Sequence, residues 1–358
     1  MSDVAELTGL RAVAILIVFA SHVVPENLLP VPGGFGVTIF FFLSGYLITS
    51  LLRAEASQRG SISLKGFYVR RTLRILPPLY ITMAFCALLW AVGISRLHVD
   101  LPSVLAQLFF VSNYDRLWGA HHGFSIPLWS LAVEEHFYLV FPLLFALVLR
   151  KYSGKTVAAA FFIACLVVLG LRAWQSWQFP QRIELNYYMT HTRIDSILWG
   201  SALAVWHNPI LDKDAWKPSL PWFIGACGMI VVAALVQNPY WAEVPRYTLQ
   251  GAGLFVVFSY VLHRQRLTSA ILNHPFAQKI GLYSYTLYLI HQTARLAIEH
   301  WIDAGWVVVA VLSALLSYVY AWAMYRLVEE RCAELRRSWH KDRAPAPMVD
   351  SPVPSVTP

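Results

Sequence analysis

Charge is scarce in this chain of 358 residues: Asp, Glu, Lys and Arg together make up 13%, against 57% hydrophobic residues. An average soluble chain carries roughly 25% charged residues, so this composition excludes an ordinary soluble enzyme, a disordered solvating protein and a soluble nucleic-acid binder. Cysteine is nearly as scarce. Of four cysteines, Cys86, Cys165 and Cys227 lie in apolar runs and Cys332 lies near the end, with neither metal-ligand spacing nor a disulfide pattern. No basic n-region opens the chain, where Asp3 and Glu6 stand instead, and no small-residue cleavage site follows, so a cleaved leader is not expected. Nor is there an internal repeat of the kind from which many transporters are built.

What is abundant is apolar sequence in lengths that cross a bilayer. Ten runs stand near residues 7–25, 35–52, 74–95, 126–149, 156–174, 191–207, 219–237, 247–262, 280–299 and 304–327. About 20 apolar residues of helix cross the roughly 30 Å hydrocarbon core, so the expected fold is an all-α polytopic bundle of about ten transmembrane helices. The piece at 101–112 is too short to cross and reads as re-entrant or interfacial. With the N-terminus inside, twenty of the twenty-eight Lys and Arg residues fall in inner loops and the C-terminal segment, and Arg11 sits at the inner end of the first run. That bias predicts N-in, C-in topology and accounts for the net charge of +8 without nucleic acid. The membrane domain is expected over 1–333. Residues 334–358 read as a cytoplasmic tail, disordered from about 340, where five prolines fall in the last nineteen residues.

Polar residues inside apolar runs are costly and mark function by default. Arg11 and His22 are eleven residues apart, close to three helical turns, and share one face about 16 Å apart along the axis. Gly33-Gly34-Phe35-Gly36 leads into Phe41-Phe42-Leu43-Ser44-Gly45, where small residues permit close backbone approach. Arg71 and Arg74 project together from a helix and suit a phosphate, although positive-inside anchoring explains basic residues there equally well. Ser130 and Glu134 share a face, and Glu134, Glu135 and His136 are three adjacent titratable groups, of which one points comfortably into a bundle. Arg193 and Asp195 open a later run, where mutual neutralisation is a sufficient explanation, and Tyr288 and His291 lie deep in the run at 280–299.

In their order along the chain these residues resemble the acyltransferase-3 family of integral membrane O-acyltransferases, which modify bacterial surface polysaccharides and some small natural products. The resemblance runs from about Leu7 to Arg331. It rests on Arg11 and His22, on Phe41 to Gly45, on Arg71 and Arg74, and on Ser130, Val133 and Glu134. Arg193, Asp195 and Gly200 continue it, and Ser284, Tyr285, Tyr288, Leu289 and His291 complete it. Two positions depart from the family pattern: His136 stands where many members have Gln, and Glu329-Glu330-Arg331 stands where many have Glu-Lys-Pro.

The resemblance implies an acyl-CoA donor, acetyl-CoA above all, used as a co-substrate, with no tightly bound cofactor and no metal. It implies a multi-pass protein of the bacterial plasma membrane. Arg11, Arg71 and Arg74 would then hold the donor's phosphates at the cytoplasmic mouth. His22 would act as general base or transient acyl carrier, and Glu134 would hold its imidazole in the useful tautomer. Ser44, Ser130, Glu135, His136, Arg193, Asp195, Tyr288 and His291 would support the substrates or the site. The acceptor would be a hydroxyl of a glycan or glycosylated small molecule. The segments 113–127 and 174–192, rich in Trp, Tyr, His and amides, suit sugar rings as well as they suit an interfacial aromatic belt. Longer relatives carry a soluble hydrolase-like domain, so any second transfer step would fall to another protein. A secondary transporter or flippase for a sugar-containing substrate shares the ten runs and the intramembrane charges. Donor chemistry separates the two.

Overall fold

The computed structural model describes residues 4–28, 33–94, 99–118, 123–125, 127–236, 238–263 and 265–341. Within the described residues a helix forms in every one of the ten apolar runs. These helices are α1 (Ala5–Val23), α2 (Gly34–Arg59), α3 (Leu64–Ala91), α5 (Leu128–Leu147), α6 (Gly154–Gln178), α7 (Thr190–Val205), α8 (Leu220–Leu235), α10 (Arg246–Leu262), α12 (Pro275–Trp301) and α13 (Trp306–Met324). Short helices α4 (Leu101–Leu108), α9 (Pro239–Glu243) and α11 (Arg266–Leu272) join them, and α14 (Glu330–Lys341) follows a single π turn at Tyr325–Glu329. Among the described residues there is no strand, as expected where lipid cannot satisfy an open sheet edge. The piece at 101–112 holds only the eight residues of α4, too few to cross.

Among the described residues six helices are long and apolar enough to cross a membrane: α1, α2, α3, α5, α6 and α13, with α5 counted to Lys151 and α13 counted through the π turn to Arg337. The other four expected runs miss those criteria for a physical reason. Helices α7, α8 and α10 are 16, 16 and 17 residues long, and α12, at 27 residues, is diluted by polar side chains. In α7 and α12 the polar groups face protein: Arg193, Asp195, Ser196, Ser201, Ser284, Thr286 and His291 are all buried. Outward faces are apolar instead, as at Ile163, Leu166 and Val167 of α6 and Leu315 and Val319 of α13, the arrangement of a polytopic helical membrane protein.

Local chemistry sets the boundaries. Ser63 accepts from the Gly66 N–H at 3.1 Å and Ser153 from the Thr156 N–H at 3.1 Å, capping α3 and α6. Gly60, at φ 67°, closes α2 in the left-handed conformation that glycine adopts without strain. The expected domain boundary at 333 falls inside α14. The Pro-rich part of the expected tail, from 342 onward, lies outside the described residues.

Helices α2 and α7 form the centre. They cross backbone to backbone at Gly45 and Gly200: a Cβ on Gly45 would meet the Ile197 carbonyl, and one on Gly200 would meet the Phe42 carbonyl. Small residues at a crossing let helices approach this closely. Around that pair, α1 packs on α2 and α12, α6 and α10 pack on α7, and α13 backs α12. Helices α3 and α5 close one side, where the Tyr68 hydroxyl of α3 donates to the Leu139 carbonyl of α5 at 2.7 Å.

Candidate active site

The arginines predicted to act together do converge. Arg11 of α1 and Arg71 and Arg74 of α3 line one cavity of about 820 Å³, measured out to its mouth. Arg11 and Arg71 are half-buried and Arg74 is open. Their neighbour Arg70 is used elsewhere, donating to Glu55 at 3.1 Å, which Arg59 also approaches at 3.9 Å. The cavity arginines have no such partner. Among the described residues none gives Arg11 or Arg74 a hydrogen bond, and the Arg71 Nε is buried without one. Arg71 instead lays its guanidinium 3.9 Å from the centre of the Tyr138 ring. The one carboxylate lining the cavity is Glu134, so three cations against one anion leave two positive charges in excess.

Glu134 sits at the middle of a stripe on α5. Ser130, Glu134 and Tyr138 follow one another at four-residue spacing, so all three face the cavity. The Glu134 Oε2 accepts from Ser44 Oγ at 2.9 Å and from the Tyr138 hydroxyl at 2.5 Å, and Tyr138 also lies 2.7 Å from Ser44 Oγ. Ser44 is held here by the close crossing at its neighbour Gly45. At the other end of the stripe Ser130 Oγ lies 2.6 Å from the Tyr288 hydroxyl, and both hydroxyls lie 3.2 Å from the Pro127 carbonyl.

His22 is not among the lining residues. Its Nδ1 lies 2.7 Å from the Val18 carbonyl, which only accepts, so Nδ1 carries the proton and Nε2 has the lone pair. The amide nitrogen of Gln292 stands 2.6 Å from that Nε2 and donates to it. His291 lies beside it, ring centres 5.1 Å apart. His291 Nδ1 is 2.8 Å from the Tyr288 carbonyl, and its Nε2 is buried without a partner among the described residues. Tyr288 joins the two regions: it lines the cavity and its ring centre is 5.7 Å from that of His291. The expected pairing of Glu134 with His22 is therefore corrected. Glu134 spends its hydrogen bonds on Ser44 and Tyr138, and Gln292 orients the imidazole.

Helical angle sets the remaining neighbours apart. His136 is two residues, about 200°, round the helix from Glu134 and turns away from the cavity; its Nδ1 lies 2.6 Å from Thr190 Oγ1, which Asn113 also meets at 2.8 Å. Glu135 does not line the cavity, and its Oε1 is buried without a partner among the described residues. Arg193 and Asp195 are likewise two apart and do not pair. Asp195 binds Arg172 at 2.8 Å, with both side chains fully buried, and accepts from Thr248 Oγ1 at 3.0 Å. Arg193 stacks 3.8 Å from the Tyr247 ring centre and donates to Thr38 at 3.0 Å. Tyr138, Gln292 and Arg172 are the participants that sequence reasoning did not single out. Tyr138 was findable as the next member of the four-residue stripe, and Arg172 as a lone charge deep in an apolar run.

Residues 4–326 match the family model described as an acyltransferase domain. The chain belongs to the acyltransferase-3 family. It is 31% identical over 343 residues to the O-acetyltransferase OatA of Staphylococcus aureus, covering 90% of this chain and 56% of that protein. It is 31% identical over 310 residues to the putative peptidoglycan O-acetyltransferase YrhL of Bacillus subtilis, covering 80% of this chain and 47% of that one. The chain thus spans about half the length of the curated relatives it matches. No solved structure matches it. As a member of this acyltransferase family the protein has its arginine-lined cavity in the matched region, which contains Arg11, His22, Arg71, Arg74, Glu134 and His291.

Proposed function

We propose that this acyltransferase-3 protein takes an acyl group, acetyl by analogy with its O-acetyltransferase relatives, from a CoA thioester on the cytoplasmic side of a bacterial plasma membrane. It passes that group to a hydroxyl of a glycan or glycosylated small molecule beyond the outer face. The observation that carries the reading is the cavity with three arginines and one carboxylate. Three guanidinium groups facing one cavity with a single carboxylate favour an anion there, and the guanidinium fork matches phosphate geometry. A CoA thioester brings phosphates to such a mouth and a slender arm to the apolar wall of Val37, Phe40, Leu43 and Leu47 beyond it.

The parts then take distinct roles. Arg11, Arg71 and Arg74 hold the donor's diphosphate. Glu134 fixes the hydroxyls of Ser44 and Tyr138 and offsets part of the arginine charge, which makes it a positioning group. His22, whose Nε2 lone pair accepts the exchangeable Gln292 N–H, takes the proton of the acceptor hydroxyl as that oxygen attacks the thioester carbonyl. The carbon–sulfur bond breaks, and the departing thiolate receives the proton to leave as the CoA thiol. Gln292 shields the His22 lone pair until the acceptor hydroxyl replaces its N–H. The basic residues clustered in alternate loops support an orientation with Arg11 inside and His22 outside.

The test uses membranes containing wild-type protein or His22→Ala at matched levels, given CoA carrying a radiolabelled acetyl group. Wild type should move label from CoA to a hydroxylamine-sensitive ester, and His22→Ala should not. A wild-type protein that never consumes the thioester, while transporting a sugar-containing solute, contradicts the reading.

A further inference from the structure

The chain does not end its structured part with the last long helix. Through the π turn at Tyr325–Glu329 the helix continues as α14, which packs against α3, the helix that carries Arg71 and Arg74. π turns inside helices are frequent at functional sites. Here the turn aims one face of α14 inward: Cys332, Ala333 and Arg336 are half-buried, while Arg331, Glu334, Leu335 and Arg337 are exposed. Arg336 is therefore the one arginine of α14, among its described side chains, turned toward the protein. Its electrostatic neighbours are Cys332 and the Glu329 carboxylate, which favour its charge, and Arg71, Arg74 and Arg337, which oppose it. Glu329 is held from another direction, its Oε1 accepting from Thr286 Oγ1 of α12 at 2.6 Å. Among the described residues Arg336 has no hydrogen-bond partner.

Glu329 is one carboxylate against Arg71, Arg74 and Arg336, so this group keeps a positive excess that a further anion would relieve. Arg336 does not line the cavity, so it stands outside the three arginines that do. A CoA thioester has two phosphate groups at different depths: a diphosphate next to the pantetheine arm and a monophosphate on the ribose, farther from the thioester. On the reading given under Proposed function, on which this inference rests, the cavity arginines take the inner group. We propose that Arg336 takes the outer one, the ribose 3′-phosphate, so that α14 is part of the donor site and selects CoA over its dephosphorylated form.

The same chemistry would also suit a phospholipid headgroup, and the test separates the two sources. Purified full-length protein is placed in nanodiscs of zwitterionic lipid, and affinities for CoA and dephospho-CoA are measured by titration. Wild type should prefer CoA about ten-fold or more, the range of one charge-assisted contact. Arg336→Ala should remove that preference and leave dephospho-CoA affinity unchanged, and Arg336→Lys should keep part of it. Arg71→Ala should weaken both ligands alike. Full preference for CoA in Arg336→Ala overturns the assignment. So does a loss that appears equally for both ligands, or one seen only with anionic lipid present, which makes Arg336 a headgroup contact. Where Arg71→Ala also leaves both affinities untouched, the donor site itself has been misassigned. Should Arg336→Ala fail to accumulate, Arg336→Gln reads the same preference with the side-chain stem retained.

Discussion

Replacing Gly45 by alanine places one methyl group where α2 and α7 touch. The added Cβ would meet the Ile197 carbonyl and lie 3.0 Å from the Ser201 N–H, both backbone atoms of a buried helix that no side-chain rotation can clear. The helices must part instead. Overpacking a tight interior costs about 1–3 kcal/mol, and a backbone obstacle puts this site at the upper end. Gly200→Ala meets the Phe42 carbonyl and, at 2.9 Å, the Tyr46 N–H, so it pushes the same two helices apart. Once they have separated for one methyl the second fits more easily, and the double variant should lose clearly less stability than the two single losses added together. Function should fall with either change, because Ser44 moves with Gly45 and its 2.9 Å contact to Glu134 lengthens. Thermal unfolding in one detergent, paired with acyl-transfer assays at matched protein, reads both effects. A Gly45→Ala protein as stable and as active as wild type would refute the close crossing and its part in holding Ser44.

Glu134→Gln keeps an oxygen for Tyr138 and Ser44 but removes the cavity's carboxylate; turnover at saturating donor should fall by about ten-fold or more while donor affinity holds or rises. Weaker donor binding in that variant, measured by CoA titration, would contradict the charge balance assigned to the cavity. Burial pushes the Asp115 carboxyl, on the segment between α4 and α5, up to about 7, with nearby Asp100 adding to the effect. Its folded pKa lies above the unfolded value, so the folded form binds the extra proton and stability falls as pH rises from about 4 to about 7. Protease nicking of that segment should increase over this pH range in wild type and lose the dependence in Asp115→Asn. Reporter fusions after Lys65, Lys155 and Lys217 should read cytoplasmic and fusions near Arg116 and Gln181 external; one consistent inversion beyond 101–112 would show that this segment crosses.

The helices were legible because lipid leaves an apolar run little else to form. Which helix neighbours which was not. Arg11, Ser44, Arg71, Ser130, Glu134 and Tyr288 come from five helices and meet at one cavity, and residue types and motif order had pointed to each. Within α5 helical angle had predicted that one of Glu134, Glu135 and His136 would face inward, whereas the expected neutralisation of Arg193 by Asp195 fails because residues two apart on a helix face different neighbours. Gln292, the partner of His22, is separated from it by 270 positions, and only the packing of α1 on α12 makes it adjacent. Helix α14 was hidden by composition, since its charged sequence reads as a tail until α3 is there to receive it.

The most direct measurement maps where the donor lies. A CoA thioester bearing a photoreactive diazirine on its acyl chain is bound to protein in membranes, irradiated, and the labelled peptides are identified by mass spectrometry. The account predicts label on cavity residues of α2, α5 and α12, such as Leu47, Leu131 and Tyr285, displaced by excess acetyl-CoA and lost in an Arg71→Ala, Arg74→Ala double variant. Specific label confined to the outer segments, or label indifferent to both the competitor and the arginines, would contradict it.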